Sequence, residues 1–239
     1  MLKVLDLFSG IGGFSLGLER AGMETVAFCE IDKKARLVLN KHWPSVPVFD
    51  DVSTLTRETL DARGISVDVI CGGFPCQDIS LAGKGAGLEG DRSGLWFQFH
   101  RLIKEIQPHY AIIENVSALR NRGLDQVLRS LDEIGYDAEW HCIPASAVGA
   151  PHRRDRIWIV AYSMFAGLEG QRFISSRISE ELKNSSYSCW WEAEPSVGRV
   201  ANGVPNRVDR LKQLGNAVVP QIPELIGSAI IKNMGVNNG

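Results

Sequence analysis

The feature that most constrains this chain is a rhythm. From residue 3 to about 162, apolar β-rich runs alternate with stretches of helical pattern. That alternation predicts an α/β fold built on a doubly wound, mostly parallel sheet with helices on both faces. Strands are expected at 4–8, 25–29, 46–49, 67–71, 110–113, 138–143 and 157–162, and helices at 13–21, 33–41, 95–106 and 124–134, with Pro108 and Gly135 as stop signals for the last two. At 239 residues the chain can bury the core of one such domain and carry a small appendage. Residues 1–162 form the expected domain. Residues 163–198 are polar and serine-rich with no sustained period, which marks a separate variable region. In the closing segment, 199–239, residues 221–234 read as a helix returning to the first domain.

Charge and cysteine usage narrow the setting. A net charge of −2 excludes a uniformly basic nucleic-acid coat but not a local groove. Two basic clusters stand out: His152-Arg153-Arg154-Asp155-Arg156, and the run from Arg199 through Arg207 and Arg210 to Lys212. The five cysteines are odd in number and lack paired ligand spacing, so neither a disulfide frame nor a metal site is expected. Cys71 and Cys142, inside apolar strands, read as buried core residues. With no apolar run approaching a membrane span and no export leader at the start, a cytoplasmic protein is expected.

The first strand carries Asp6 and runs into Phe8-Ser9-Gly10-Ile11-Gly12-Gly13 before a helix. Glycines at such a turn let the backbone bend sharply and approach a ligand, although a simple tight turn reads the same way. Glu30, just after the second strand, can accept hydrogen bonds from both hydroxyls of a ribose, and Asp51, beyond the third, is similarly placed for an adenine amino group. No Lys-Ser or Lys-Thr follows the glycines, as a phosphate cradle would require. A nucleoside without phosphates fits better, and S-adenosyl-L-methionine, with its positive sulfonium, suits an acidic pocket.

The fourth strand ends in Cys71-Gly72-Gly73-Phe74-Pro75-Cys76-Gln77, at the edge where open α/β sheets build their sites. Cys76 precedes a polar, glycine-rich stretch over 80–94 that could close over a substrate. The fifth strand ends in Glu114-Asn115-Val116. In a parallel sheet these two ends share one crevice. A thiol, a carboxylate and a methyl donor together suggest methylation at carbon 5 of cytosine: thiolate addition to carbon 6 makes carbon 5 nucleophilic, and a proton shared by Glu114 with ring N3 offsets the developing charge.

These residues resemble the bacterial and phage DNA (cytosine-5)-methyltransferases. Asp6-Leu7-Phe8-Ser9-Gly10-Ile11-Gly12-Gly13 is similar to the first family motif, Gly73-Phe74-Pro75-Cys76-Gln77 to the nucleophile motif, Glu114-Asn115-Val116 to the motif that binds N3, and Gly215-Asn216-Ala217-Val218-Val219-Pro220 to the last motif. The resemblance covers residues 3–162 and 199–233. It implies a class I S-adenosylmethionine-dependent methyltransferase fold with a target-recognition region. It makes Cys76 the nucleophile, with Glu114, Arg154 and Arg156 as its catalytic companions. Around the cofactor it places Phe8, Gly10, Ile11, Gly12, Gly13, Glu30, Ile31, Asp51, Val52, Pro75, Leu95, Asn216 and Val218. Duplex DNA would meet Ser80, Lys84, Arg199, Arg207 and Arg210. Restriction-modification or phage self-protection is the implied setting, as a monomer, with a cognate restriction endonuclease acting separately.

Two departures are visible. His152 stands where the family's arginine motif usually begins with Gln. The variable stretch of about 36 residues is short for a recognition domain, although it holds Arg172, Arg177, Lys183, Tyr187, Trp190 and Trp191. So small a module can read only a short or loosely defined site. A transfer-RNA cytosine-5 methyltransferase and an inactive DNA-binding relic are the alternative readings. The basic segment Val204 to Lys212, which resembles a stretch of phage and prophage DNA enzymes, favours DNA, and retention of Cys76, Glu114, Arg154, Arg156 and the cofactor acids together speaks against a relic.

Overall fold

A computed structural model of the protein describes residues 1–75, 94–166, 178, 180 and 217–236. Its centre is a seven-stranded sheet of β1 (Lys3–Leu7), β2 (Glu24–Cys29), β3 (Val48–Phe49), β4 (Val69–Gly73), β5 (Tyr110–Val116), β6 (Tyr136–Pro144) and β7 (Asp155–Ser163), in the order β3-β2-β1-β4-β5-β7-β6. The pairs among β1 to β5 are parallel, while β7 runs antiparallel to both β5 and β6. The mostly parallel, doubly wound sheet is therefore as expected. The reversal of β7 follows from its connection: only a short turn through Ala145–Val148 separates it from β6, too little chain for a crossover helix.

The expected helices form as α1 (Gly13–Arg20), α2 (Lys33–His42), α4 (Gly94–Ile106), α5 (Leu124–Asp132) and α6 (Gln221–Val236), and a short α3 (Arg57–Asp61) was not foreseen. Thr56 caps α3 through its hydroxyl, which accepts from the Thr59 N–H. With five residues the helix is too brief for a hydrophobic period to announce it. Asp32 caps α2 by accepting from the N–H groups of Lys34 and Ala35.

Two apolar layers sandwich the sheet. Trp96, Phe99, Leu102 and Ile103 of α4, with Val127 and Leu131 of α5, cover one face over Leu5, Ile70, Ala111 and Ile159. Phe14 and Leu18 of α1, with Ile222, Leu225, Ile226 and Ile230 of α6, cover the other over Val4, Val69, Ile112 and Val160. The helix α6 thus packs beside α1 on this face of the sheet. It sits close because Gly17 has no side chain: a Cβ there would strike the Pro220 carbonyl. One expectation fails. Cys142 is exposed, because β6 is an edge strand and Cys142 shares a face of it with the exposed Trp140. Cys71, in central β4, is buried as expected.

Candidate active site

The chain reverses its sheet order between β1 and β4, and the candidate residues gather at the carboxyl ends of the strands on either side of that point. The turn after β1 is tightly specified. Phe8, Gly10 and Gly12 have left-handed φ values of 54°, 54° and 86°. For Phe8 this is a strained conformation. Its ring stacks on Phe99 with centroids 6.3 Å apart. Ser9 ties the turn to β2, its hydroxyl donating to the Asp6 carbonyl at 2.6 Å and accepting from the Cys29 N–H at 3.2 Å.

The glycines have different tasks. A Cβ on Gly12 would lie 2.6 Å from the Trp43 ring, and one on Gly13 2.7 Å from the Val218 carbonyl, so these two serve internal packing. Gly10 alone of the three has open space where a Cβ would be. Its N–H donates to Glu30 Oε2 at 2.7 Å, and the Asp32 N–H donates to Oε1 at 2.7 Å. Glu30 is thereby fixed at the end of β2. Each bond uses one acceptor site of a carboxylate that has about four, so both oxygens can still accept from ligand hydroxyls. Ile31 beside it is largely exposed, an apolar surface at the rim.

Asp51 lies beyond β3, which pairs with β2 through Cys29 and Phe49. Its carboxylate accepts from the Ser53 N–H at 2.8 Å and the Ser53 hydroxyl at 2.7 Å, and these bonds hold it below its ordinary pKa. Asp6 is the opposite case. Fully buried, its carboxyl is pushed up to about 7 by desolvation, although it accepts from the Ser15 hydroxyl at 2.7 Å at the start of α1. The motif itself did not disclose this anchoring role. Burial also pushes the Cys29 thiol up to about 12 and the Cys71 thiol well above its usual value, which removes both as thiolates near neutral pH.

On the other side of the reversal, β4 ends in Gly73 directly opposite Glu114 of β5. A Cβ on Gly73 would meet Glu114 Oε2 at 2.7 Å, so the carboxylate lies over a glycine that makes room for it. Arg156 reaches the same place because β7 is reversed: the start of β7 pairs with the end of β5. Paired with Val116, Arg156 is a diagonal neighbour of Glu114, and its Nε lies 2.8 Å from Glu114 Oε1. Burial raises the Glu114 pKa, with Arg156 and then Arg154 opposing. Arg154 has a left-handed φ of 33°, and its own pKa is lowered, first by burial and then by Arg156. On the opposite face of β5, Asn115 is buried and donates from Nδ2 to the Phe74 carbonyl at 3.2 Å, tying β5 to the segment that leads through Pro75 toward Cys76.

Phe8, Gly10, Glu30, Asp51 and Glu114 thus lie at the carboxyl ends of β1, β2, β3 and β5, with Arg154 and Arg156 at the start of the reversed β7. Val52 is buried behind Asp51, Leu95 is half-buried in the first turn of α4, and Val218 packs beside Gly13. Ile11 belongs to the glycine turn and is half-buried. Cys76, Asn216, Ser80, Lys84, Arg199, Arg207 and Arg210 lie outside the described residues. So do Arg172, Arg177, Lys183, Tyr187, Trp190 and Trp191. No group of His, Cys, Asp and Glu among the described residues is arranged to hold a metal ion.

A reversed seventh strand on a doubly wound sheet, with acids at the ends of β2 and β3, defines the class I S-adenosylmethionine-dependent methyltransferase fold. The family model for C-5 cytosine-specific DNA methylases matches residues 2–196, and the chain belongs to that family. It is similar to the type II methyltransferase M2.BsuMI of Bacillus subtilis, with 38% identity over 221 residues, covering 85% of this chain and 55% of the relative. It is also 41% identical over 164 residues to M.Eco47II of Escherichia coli, covering 66% of this chain and 39% of that one. Among solved structures, a candidate DNA modification methyltransferase encoded within an E. coli prophage aligns with a TM-score of 0.61 and 30% identity, over 73% of this chain and 50% of that one. The Schizosaccharomyces pombe Dnmt2 methyltransferase shares the fold at a TM-score of 0.60 and 23% identity, covering 83% of this chain and 59% of that one. The chain spans about half the length of the curated relatives it matches.

Proposed function

We propose that this chain is a DNA (cytosine-5)-methyltransferase that acts on duplex DNA through a covalent Cys76 adduct. One observation carries the reading: Glu114, a carboxyl whose proton is favoured by burial, lies against Arg156 and directly across from Gly73 in the strand that leads to Cys76. In this reading the Cys76 thiolate adds to carbon 6 of a cytosine turned out of the stack. Glu114 shares its proton with ring N3, and Arg156 holds the carboxylate in place while Arg154 and Arg156 face the ring oxygen. Carbon 5 becomes nucleophilic and is methylated; loss of its proton and expulsion of Cys76 leave 5-methylcytosine.

The residues at the β1 to β3 ends fit S-adenosyl-L-methionine, which supplies the methyl group when bound. Glu30 keeps acceptor capacity for ribose hydroxyls, Asp51 keeps its charge for an amino group, Gly10 leaves space, and Phe8 and Ile31 offer apolar surface. Residues 163–198 serve as a small recognition region reading a short or loosely defined site. Arg199, Arg207 and Arg210 contribute phosphate contacts whose strength falls with salt. The names of the relatives support a restriction-modification setting, with an endonuclease acting separately.

The test is methyl incorporation into duplex DNA from tritiated cofactor. The wild type is expected to be active and Cys76→Ser inactive, because a hydroxyl is a far weaker nucleophile than a thiolate. Duplexes carrying 5-fluorocytosine should trap a denaturation-resistant adduct with the wild type alone. Turnover by Cys76→Ser near the wild-type rate would exclude the covalent route, and incorporation into transfer RNA but not DNA would exclude the substrate.

A further inference from the structure

The loop from Asp51 to Arg57 carries the acid assigned above to the adenine, yet what holds it lies on another element. Arg101, in the middle of α4, donates from Nη2 to the carbonyls of Val52 and Leu55, both at 2.9 Å. Its Nε donates to Gln98 Oε1 at 2.9 Å, and Nη1 contacts Glu105 Oε1 at 2.8 Å. Glu105 continues the clamp, since its Oε2 accepts from the Arg57 N–H at 3.4 Å and its carbonyl from Arg57 Nη1 at 3.2 Å. Three backbone groups of one loop are thus fixed by a single turn of α4. The same helix supplies Leu95 and places Phe99 against Phe8.

We propose that Arg101 is a positioning residue for cofactor selection: by holding the Val52 and Leu55 carbonyls it aims the Asp51 carboxylate at the 6-amino group of the adenine. This rests on the cofactor reading above. The Val52 and Leu55 side chains are buried, so the loop is anchored in the core at both positions. Arg101 sets the direction of the peptides between them. The planar fork of a guanidinium reaches two carbonyls, an amide and a carboxylate at once. A lysine ammonium, a point donor on a flexible stem, cannot.

The test compares binding of S-adenosylhomocysteine and S-inosylhomocysteine, which differ in the group that faces Asp51. Wild type should prefer the adenosyl compound by about tenfold or more, the discrimination expected when a polar site is left unpaired or opposed. In Arg101→Met that preference should fall to about twofold or less. Arg101→Lys and Glu105→Gln should give intermediate ratios, and they decide the matter if Arg101→Met does not fold. A residue that only stabilised the fold would weaken both ligands equally and leave the ratio intact. An unchanged ratio in folded variants overturns the inference while the cofactor reading stands. Failure of the wild type to bind S-adenosylhomocysteine overturns both, and binding without discrimination removes Asp51 from the adenine and Arg101 with it.

Discussion

At the β1 to β3 end of the crevice, Glu30 is held by the N–H groups of Gly10 and Asp32, backbone donors within 20 residues of it. At the β4 to β7 end, Glu114 is held by the side chain of Arg156, which belongs to a strand formed two strands later and reaches it only because that strand is reversed. The first acid is positioned by local chain geometry, the second by tertiary assembly. Under the proposed function, binding can therefore survive damage that destroys the reacting end, and the two halves should respond differently to the same kinds of change.

The largest effect is expected at Asp6, beneath the first half. Its folded-state pKa of about 7 lies above the ordinary carboxyl value of 3.8, so it favours the fold fully below about pH 3.8 and gives that contribution up as pH rises through 7. At about 1.4 kcal/mol per pH unit this amounts to about 4 kcal/mol. Denaturant unfolding of the wild type and of Asp6→Asn between pH 4.5 and 8 should show the wild type losing stability relative to the variant as pH rises. Parallel pH profiles would mean that Asp6 is charged in the fold throughout.

Arg156→Leu comes next and tests the second half. It strands a largely buried carboxylate, at a cost of about 3 kcal/mol of stability at neutral pH. Because the arginine is what opposes the rise in the Glu114 pKa, part of that cost should disappear on acidification. Methyl transfer should fall far more than cofactor affinity, and an equal loss of both would erase the distinction between the halves. The smallest effect is Glu30→Ala, which should weaken S-adenosylmethionine binding by about 2 kcal/mol, the scale of hydrogen bonds to a charged group. Calorimetry with unchanged cofactor affinity would reassign Glu30 to holding the glycine turn alone.

Much of this arrangement is legible in the sequence, and the exceptions have causes. Strand and helix positions follow from periodicity, and Glu30, Asp51 and Glu114 could be read because each is an acid following an apolar run. The direction of β7 could not, since an apolar run reads the same in either direction. Arg101 on α4 looks like an ordinary solvated helix residue until its loop partners, about 46 to 49 residues away, are brought beside it. Gly12 and Gly13 resemble ligand-facing glycines in sequence, yet Trp43 and Val218 occupy the space beside them. Cys142 reads as buried in the sequence because edge strands and central strands share the same composition, whereas the structure exposes it.

The close seating of α6 on α1, with Pro220 against Gly17, also has a consequence for how the protein is made. The first helix and the strands beneath it leave the ribosome about two hundred residues before the helix that covers them, a wait of about 10 to 40 s at ordinary elongation rates. During that interval the Phe14 and Leu18 face has no lid from α6, so this side of the sheet is completed only once residues 221–236 have been made. Nascent chains stalled before residue 221 are the species that chaperones would have to shield.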